Sequence, residues 1–355
     1  MNYMKKINML KIKLLILLLL SIGVYIHGCK PNNPEESNKH LKAGIEAFNK
    51  GKLEDAQKEF SSAIEQNSNN STAWYHRGVL YTALNNFPKA IEDISEAIDI
   101  SPDTARFYDA RGYVYITTND HSKAMSDYEK AVEKDQKNAV YVNRRGYVYA
   151  LLKDFTTAVK DYTKAIQLNP KYEAAFSNRG FSYMELKQYD KVVEDFTKAI
   201  EINPMNAVYY NARGYGYSNI KRWGDALSDY DKAIELNPKM ADAFINRGYI
   251  FLNTEQYNFA AQDFDSAIKL GSAIPQNFNA RGYALSNLRN YDQAINDFSK
   301  AIELDSGFAD AYVNRGFSYF NSMKKQNALT DWEKAVQLKP ALDSSLRSYI
   351  EKAKK

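Results

Sequence analysis

Asn246-Arg247-Gly248-Tyr249 is one of a series of close copies: Arg77-Gly78, Arg111-Gly112, Arg145-Gly146, Arg179-Gly180, Arg213-Gly214, Arg281-Gly282 and Arg315-Gly316 repeat its core. The interval is 34 residues each time, and one more interval back from Gly78 lies Gly44, so nine units follow without insertion or deletion. A fixed period of this length marks a stacked array, in which each unit buries its apolar face against its neighbours. It therefore predicts one elongated domain over about residues 37–342, where 355 residues would ordinarily suggest two or three globular ones.

Within each unit the small and aromatic residues keep their phase. An aromatic usually stands four residues before the glycine, as in Tyr210 and Phe244, and another three after it, as in Tyr217 and Phe251. Twelve residues after the glycine comes Ala in every unit but one, where Val192 replaces it; four further on is an aromatic in most units, and three beyond that is Ala in all nine. Both sets have helical spacing, so each unit reads as two antiparallel helices, with Gly and Ala permitting close approach and aromatics filling the gaps. Pro102, Pro170, Pro204, Pro238 and Pro340 follow the second helix and set the next turn.

This pattern resembles the tetratricopeptide repeat, although Arg stands in eight units where that family usually has Leu before the glycine. The resemblance implies an all-α fold: a right-handed superhelical solenoid of nine helix-turn-helix repeats, with the first helices lining a concave groove. The ends read as caps. The first unit has Ala43 in place of the arginine, and residues 343–355 form a last helix with an apolar stripe of Leu346, Tyr349 and Ile350, N-capped by Asp343, Ser344 or Ser345.

Before the array, Lys5, Lys6, Lys11 and Lys13 precede a 13-residue, mostly apolar run, Leu14 to Ile26. As a helix it spans roughly 20 Å at ~1.5 Å per residue, short of the ~30 Å hydrocarbon core. Residues 1–28 thus read as a cleaved signal peptide. Ile26-His27-Gly28-Cys29 resembles the lipobox of bacterial lipoproteins, with His27 where a small residue is usual. That resemblance implies cleavage before Cys29, its lipidation, and a polar tether over 29–36 that holds the chain to a membrane of the bacterial cell envelope. An ordinary signal peptide and an uncleaved anchor are the alternatives. Without the four leader lysines, basic and acidic residues balance, leaving no overall electrostatic footprint for nucleic acid. One cysteine permits no disulfide framework and no multi-Cys metal site.

Two features are candidates for function. Fifteen residues after the glycine stands an Asp in the same eight units that carry Arg. Arg213 with Asp229 and Arg247 with Asp263 therefore read as structural ion pairs at the edge of the helix contact, the alternative for the arginine row being an anion site. The residue after the glycine is the better candidate contact: Tyr113, Tyr147, Phe181, Tyr215, Tyr249, Tyr283 and Phe317 point well away from the core stripe, and Asn143, Asn211 and Asn279 share their face. Aromatic faces with Asn amides suit an extended peptide, the competing reading being that the rings only pack. The family's Lys, Arg and Asn clamp for a chaperone carboxylate is not matched. Asn246 receives no role. His40, His76 and His121 have no repeated partner, so no catalytic residue, metal site or cofactor is expected. The chain is thus expected to be a non-enzymatic scaffold that binds a peptide or protein in its groove; the alternative is a glycan or cell-wall polymer stacked on the aromatic ladder.

Overall fold

The computed structural model describes residues 32–354, and all regular structure among them is helical. The leader, Cys29 and the start of the tether lie outside the described residues. Eighteen α-helices keep the 34-residue interval: α1 (Pro34–Asn49), α2 (Leu53–Gln66), α3 (Ser71–Ala83), α4 (Phe87–Ile100), α5 (Ala105–Thr117), α6 (His121–Lys134), α7 (Ala139–Leu151), α8 (Phe155–Leu168), α9 (Glu173–Glu185), α10 (Tyr189–Ile202), α11 (Ala207–Asn219), α12 (Trp223–Leu236), α13 (Ala241–Asn253), α14 (Tyr257–Lys269), α15 (Pro275–Asn287), α16 (Tyr291–Leu304), α17 (Ala309–Asn321) and α18 (Lys325–Leu338). A 3-10 turn, Pro340–Leu342, leads into α19 (Asp343–Ala353). No described helix is long and apolar enough to cross a membrane.

The chain divides into two compact units between Leu152 and Lys153, the first ending with α7 and the second starting with α8. Within each unit, second helices pack against the first helix of their own repeat and the first helix of the next. Successive first helices also touch, through α9, α11, α13, α15 and α17 in the second unit, and no such series joins second helices among the described residues.

The second helices follow the sequence pattern closely. Ala226, Tyr230 and Ala233 on α12, or Ala294, Phe298 and Ala301 on α16, are buried essentially completely. Burying a large apolar side chain stabilises by roughly 1.5–3 kcal/mol, so these rows supply much of the driving force. The first helices differ from expectation. Their most buried positions are the glycine, the residue two beyond it, such as Val114, Val148, Ile250 and Ala284, and the residue five before it, such as Ala73, Phe107, Ala175, Ala243 and Ala311. The flanking aromatics Tyr210, Tyr217, Phe244 and Phe251 are only half-buried. The position two beyond the glycine varies from Leu to Ser to Gly, and that variation conceals it in the sequence.

The turn within each repeat has its own signature. The residue seven after the glycine adopts a left-handed backbone: Asn85, Asn119, Lys153, Lys187, Lys221, Glu255, Arg289 and Met323, with Gly51 in the first repeat. Such a residue ends a helix by releasing the chain from αR geometry. Asn86, Asp120 and Asp154 then cap the following helices by accepting from the backbone N–H of Lys89, Lys123 and Thr157.

The ends differ in detail from the sequence reading. Residues 34–36, assigned to the tether, form the first turn of α1, with Pro34 at its start and the Asn33 side chain accepting from Glu36 N–H at 3.1 Å. At the far end none of Asp343, Ser344 and Ser345 caps α19, since the 3-10 turn runs into it with αR backbone and leaves no extended capping residue. Ser345 Oγ instead donates to Leu342 O at 2.8 Å. Leu346 is buried and Tyr349 packs on both Phe317 (ring centroids 5.0 Å apart) and Trp332 (5.8 Å), so α19 covers the open side of the ninth repeat.

Candidate functional site

The arginine row faces the interior of the array. Arg213 Nε and Nη2 each donate to Asp229 at 2.8 Å, and Arg247 donates to Asp263 at 2.9 and 2.7 Å, both in fork geometry. The same fork joins Arg77–Asp93, Arg111–Asp127, Arg179–Asp195, Arg281–Asp297 and Arg315–Asp331. A third bond runs from Nη1 back to a Ser, Thr or Asp 16 residues earlier, on the second helix of the preceding repeat. It reaches Ser61 from Arg77, Ser95 from Arg111, Thr163 from Arg179, Thr197 from Arg213, Asp231 from Arg247, Asp265 from Arg281 and Ser299 from Arg315. Each of these guanidiniums therefore ties together three helices of two repeats. Flanking aromatics complete the setting: Arg213 lies 5.7 Å from the Tyr210 ring centre and 5.8 Å from that of Tyr217.

Only 7% of the Asp229 side chain and 18% of the Arg213 side chain remain exposed. Burial pushes the Asp229 and Asp263 carboxyls up, against the pull of their arginines, while hydrogen bonds to those carboxylates hold the Arg213 and Arg247 guanidiniums above their ordinary value. An arginine does not release its proton, and both carboxylate oxygens are occupied by N–H donors, so the pair is ionic. It is closed to an external anion: what looks in sequence like a row of anion sites is an internal staple.

The residues after the glycines occupy the opposite, open face. In the first unit Tyr113 and Tyr147 are exposed; in the second, Phe181, Tyr215, Tyr249 and Tyr283 are exposed to about the same degree, 39–43%. Phe317 is half-buried beneath Tyr349. The exposed rings also pack. Phe181 stands edge-on to Phe196 (5.0 Å) and Tyr249 to Phe264 (5.1 Å), whereas Tyr215 and Tyr283 lean back on Tyr189 (6.1 Å) and Tyr257 (6.4 Å) of the preceding repeat. Each ring is thus packed against a neighbouring ring and still exposed, so ligand contact and packing are compatible roles for the same side chain.

The asparagines divide. Asn143 is 5% exposed and is no part of the open face. Asn211 and Asn279 are half-buried and accept from Asn246 Nδ2 (3.1 Å) and Asn314 Nδ2 (3.0 Å) of the next repeat. In the first unit the equivalent contact is an ion pair, from Arg144 to Asp109. Asn246, which had no role in the sequence, is thus the partner of Asn211. The signal was present as a one-residue shift, Asn-Ala-Arg-Gly at 211–214 and 279–282 against Asn-Arg-Gly at 246–248 and 314–316.

No group of three or more His, Cys, Asp or Glu among the described residues is placed to hold a metal ion. His40 Nδ1 lies 2.6 Å from Glu59, and His76 stacks on Phe60 with its pKa pushed down by burial. Both serve packing in the first repeats.

Tetratricopeptide-repeat family models match residues 41–105, 105–138, 174–206 and 211–277, and a TPR-repeat model matches residues 146–187 and 282–322. Comparison with curated proteins finds no match. Among solved structures, the C-terminal part of a TPR repeat-containing protein from Cytophaga hutchinsonii aligns with a TM-score of 0.56 at 18% identity, over 68% of this chain and 98% of that one. A tetratricopeptide repeat protein from Parabacteroides merdae aligns at 0.52 and 18%, over 71% and 99%. PilF of Pseudomonas aeruginosa aligns at 0.51 and 21%, over 56% and 91%. At these identities the likeness is one of fold. The matched models describe repeats of one kind and together span most of the array: the chain belongs to the tetratricopeptide-repeat family.

Proposed function

We propose that the protein is a non-enzymatic scaffold that holds an extended peptide segment of a partner along the open face of its first helices. One observation carries this reading: the row of rings from Phe181 to Tyr283 is exposed on one side and braced on the other. A ring fixed before binding gives up little conformational freedom on contact, which favours association. The Asn amides beside it supply hydrogen bonds that a peptide backbone can meet. Repeat proteins of this family generally bind protein or peptide partners, in line with this reading.

The test is a peptide array probed with the full-length chain. Tyr249→Ala/Tyr283→Ala is expected to weaken the peptides that bind by about tenfold or more, the effect of removing aromatic anchors. Its fold should persist, because both rings are exposed and neither belongs to the fully buried core. Undiminished peptide binding by that variant would overturn the proposal, as would binding to soluble glycans with none to peptides.

The lipobox-like stretch supports a location at the bacterial cell envelope, with the scaffold tethered through a lipid on Cys29. Cys29→Ala is then expected to move the chain from the membrane fraction to the soluble fraction. If the variant still sediments with membranes, the lipid is not the only anchor.

A further inference from the structure

The open face of the second unit repeats its chemistry every two repeats. One open depression lies between Phe181 and Tyr215, bordered by Asn211, Asn246 and Asp242. A second lies between Tyr249 and Tyr283, bordered by Asn279, Asn314 and Asp310. Each of these residues of the second depression stands 68 positions after its counterpart in the first, twice the 34-residue interval, while Leu342 borders the second depression alone. The alternation is physical as well as sequential. Phe181 and Tyr249 lean on their own repeat and Tyr215 and Tyr283 on the preceding one, so that an equivalent pair of rings flanks each depression.

Each depression holds one Asn–Asn hydrogen bond, Asn246 to Asn211 and Asn314 to Asn279. One bond uses one donor and one acceptor of the two amides, leaving each pair an amide N–H and a carbonyl to offer outward. Exchanging O and N in both amides leaves the same complement. A peptide group presents the matching acceptor and donor. Each depression also carries an exposed carboxylate. Asp242 has no cationic partner within 4 Å among the described residues, while Asp310 has Lys339 at 3.9 Å. Glu185 and Lys187 border the first depression as well, and their charges offset each other. A carboxylate beside exposed tyrosine faces favours a cation, through charge and through the ring quadrupole.

Building on the peptide-binding reading, we propose that the second unit contains two copies of one subsite, each taking a peptide amide on its Asn pair and a lysine or arginine side chain between its rings. The preferred ligand is an extended peptide with two basic residues at a set spacing. Packed helices lie about 8–10 Å apart, so two repeats separate equivalent points by roughly 16–20 Å; at ~3.3 Å per extended residue this is about five or six residues. Two linked contacts bind more tightly than either alone only when the linker spans both sites, so affinity should depend on spacing.

The experiment uses labelled 14-residue peptides of Ser, Ala and Gly carrying two lysines three to nine residues apart, with single-lysine, neutral and two-glutamate controls, and reads fluorescence anisotropy with the full-length chain. The expected result is an affinity maximum at five or six residues, about tenfold or more above the single-lysine peptide. Asp242→Asn and Asp310→Asn, both at exposed positions, should each reduce the best peptide to the single-lysine level without changing thermal stability. Affinity that ignores spacing, or glutamate peptides that bind as well as lysine ones, would overturn the two-subsite inference and leave the peptide-binding face standing. If none of these peptides binds, the inference fails outright, and the array experiment above separately decides whether the face binds peptides at all.

Discussion

Arg213→Ala is expected to destabilise the protein by about 3–5 kcal/mol, the cost of leaving a buried carboxylate without its partner. The size follows from the surroundings of Asp229, which is almost fully buried and receives both of its charge-assisted bonds from Arg213. An exposed pair at the same spacing would be worth under about 1 kcal/mol. The staple to Thr197 and the stacking on Tyr210 and Tyr217 go with the same side chain. The loss should also depend on pH. Burial already pushes the Asp229 carboxyl up, and without the guanidinium it rises further in the folded state, while the unfolded value stays near 3.9. The folded variant then holds a proton that the unfolded chain has released. Its deficit is therefore full above the raised folded pKa and shrinks as pH falls toward the unfolded one. Urea denaturation at pH 7 and pH 5 checks this. A deficit equal at both values, or larger at pH 5, would place the cause elsewhere than the stranded carboxylate. Replacing both partners, Arg213→Met with Asp229→Leu, should recover most of the loss, since no charge is then left buried.

Phe298→Ala is expected to cost a further independent 3–5 kcal/mol or so, because the ring is wholly buried and its removal opens a cavity between α15 and α16. More telling is its coupling to Gly282. Gly→Ala in an exposed helix gains about 1 kcal/mol. At Gly282 the added Cβ would stand 2.9 Å from the Phe298 ring, and a ring packed on all sides cannot withdraw, so Gly282→Ala should destabilise by roughly 1–3 kcal/mol. In the Phe298→Ala background the same change meets free space and should become neutral or stabilising. Chemical denaturation of the four variants gives the coupling directly. Strict additivity would mean that the glycine does not serve the ring.

These pairs show what was readable beforehand. The intervals Arg213 to Asp229 and Gly282 to Phe298 lie within single repeats, where two helices of set length and a short turn bring residues 16 apart together each time. Repetition over nine units makes such spacing visible. The first-helix core was less legible, because Ile250, Ala284 and Ser318 fill one position with different volumes. The left-handed turn residue was hidden for another reason: its backbone angle is set by closure of the turn, and Lys221, Glu255 or Met323 accept it with no marker such as glycine.

The open face divides along the same line. That Tyr215 and Tyr249 point away from the core follows from 3.6 residues per turn. That Tyr215 leans on the preceding repeat and Tyr249 on its own does not follow from the helical period. Nor does the bond from Asn246 to Asn211, or the third bond of each arginine staple, both of which join neighbouring repeats. The sequence by itself determined the helices, their pairing into repeats and the residues the second helices bury, because these obey local geometry multiplied nine times. Only the tertiary structure decided which of these recurring side chains meet across repeats, and with them how each ring of the open face leans, because a recurring interval of 16 or 35 residues does not by itself say which pair is in contact.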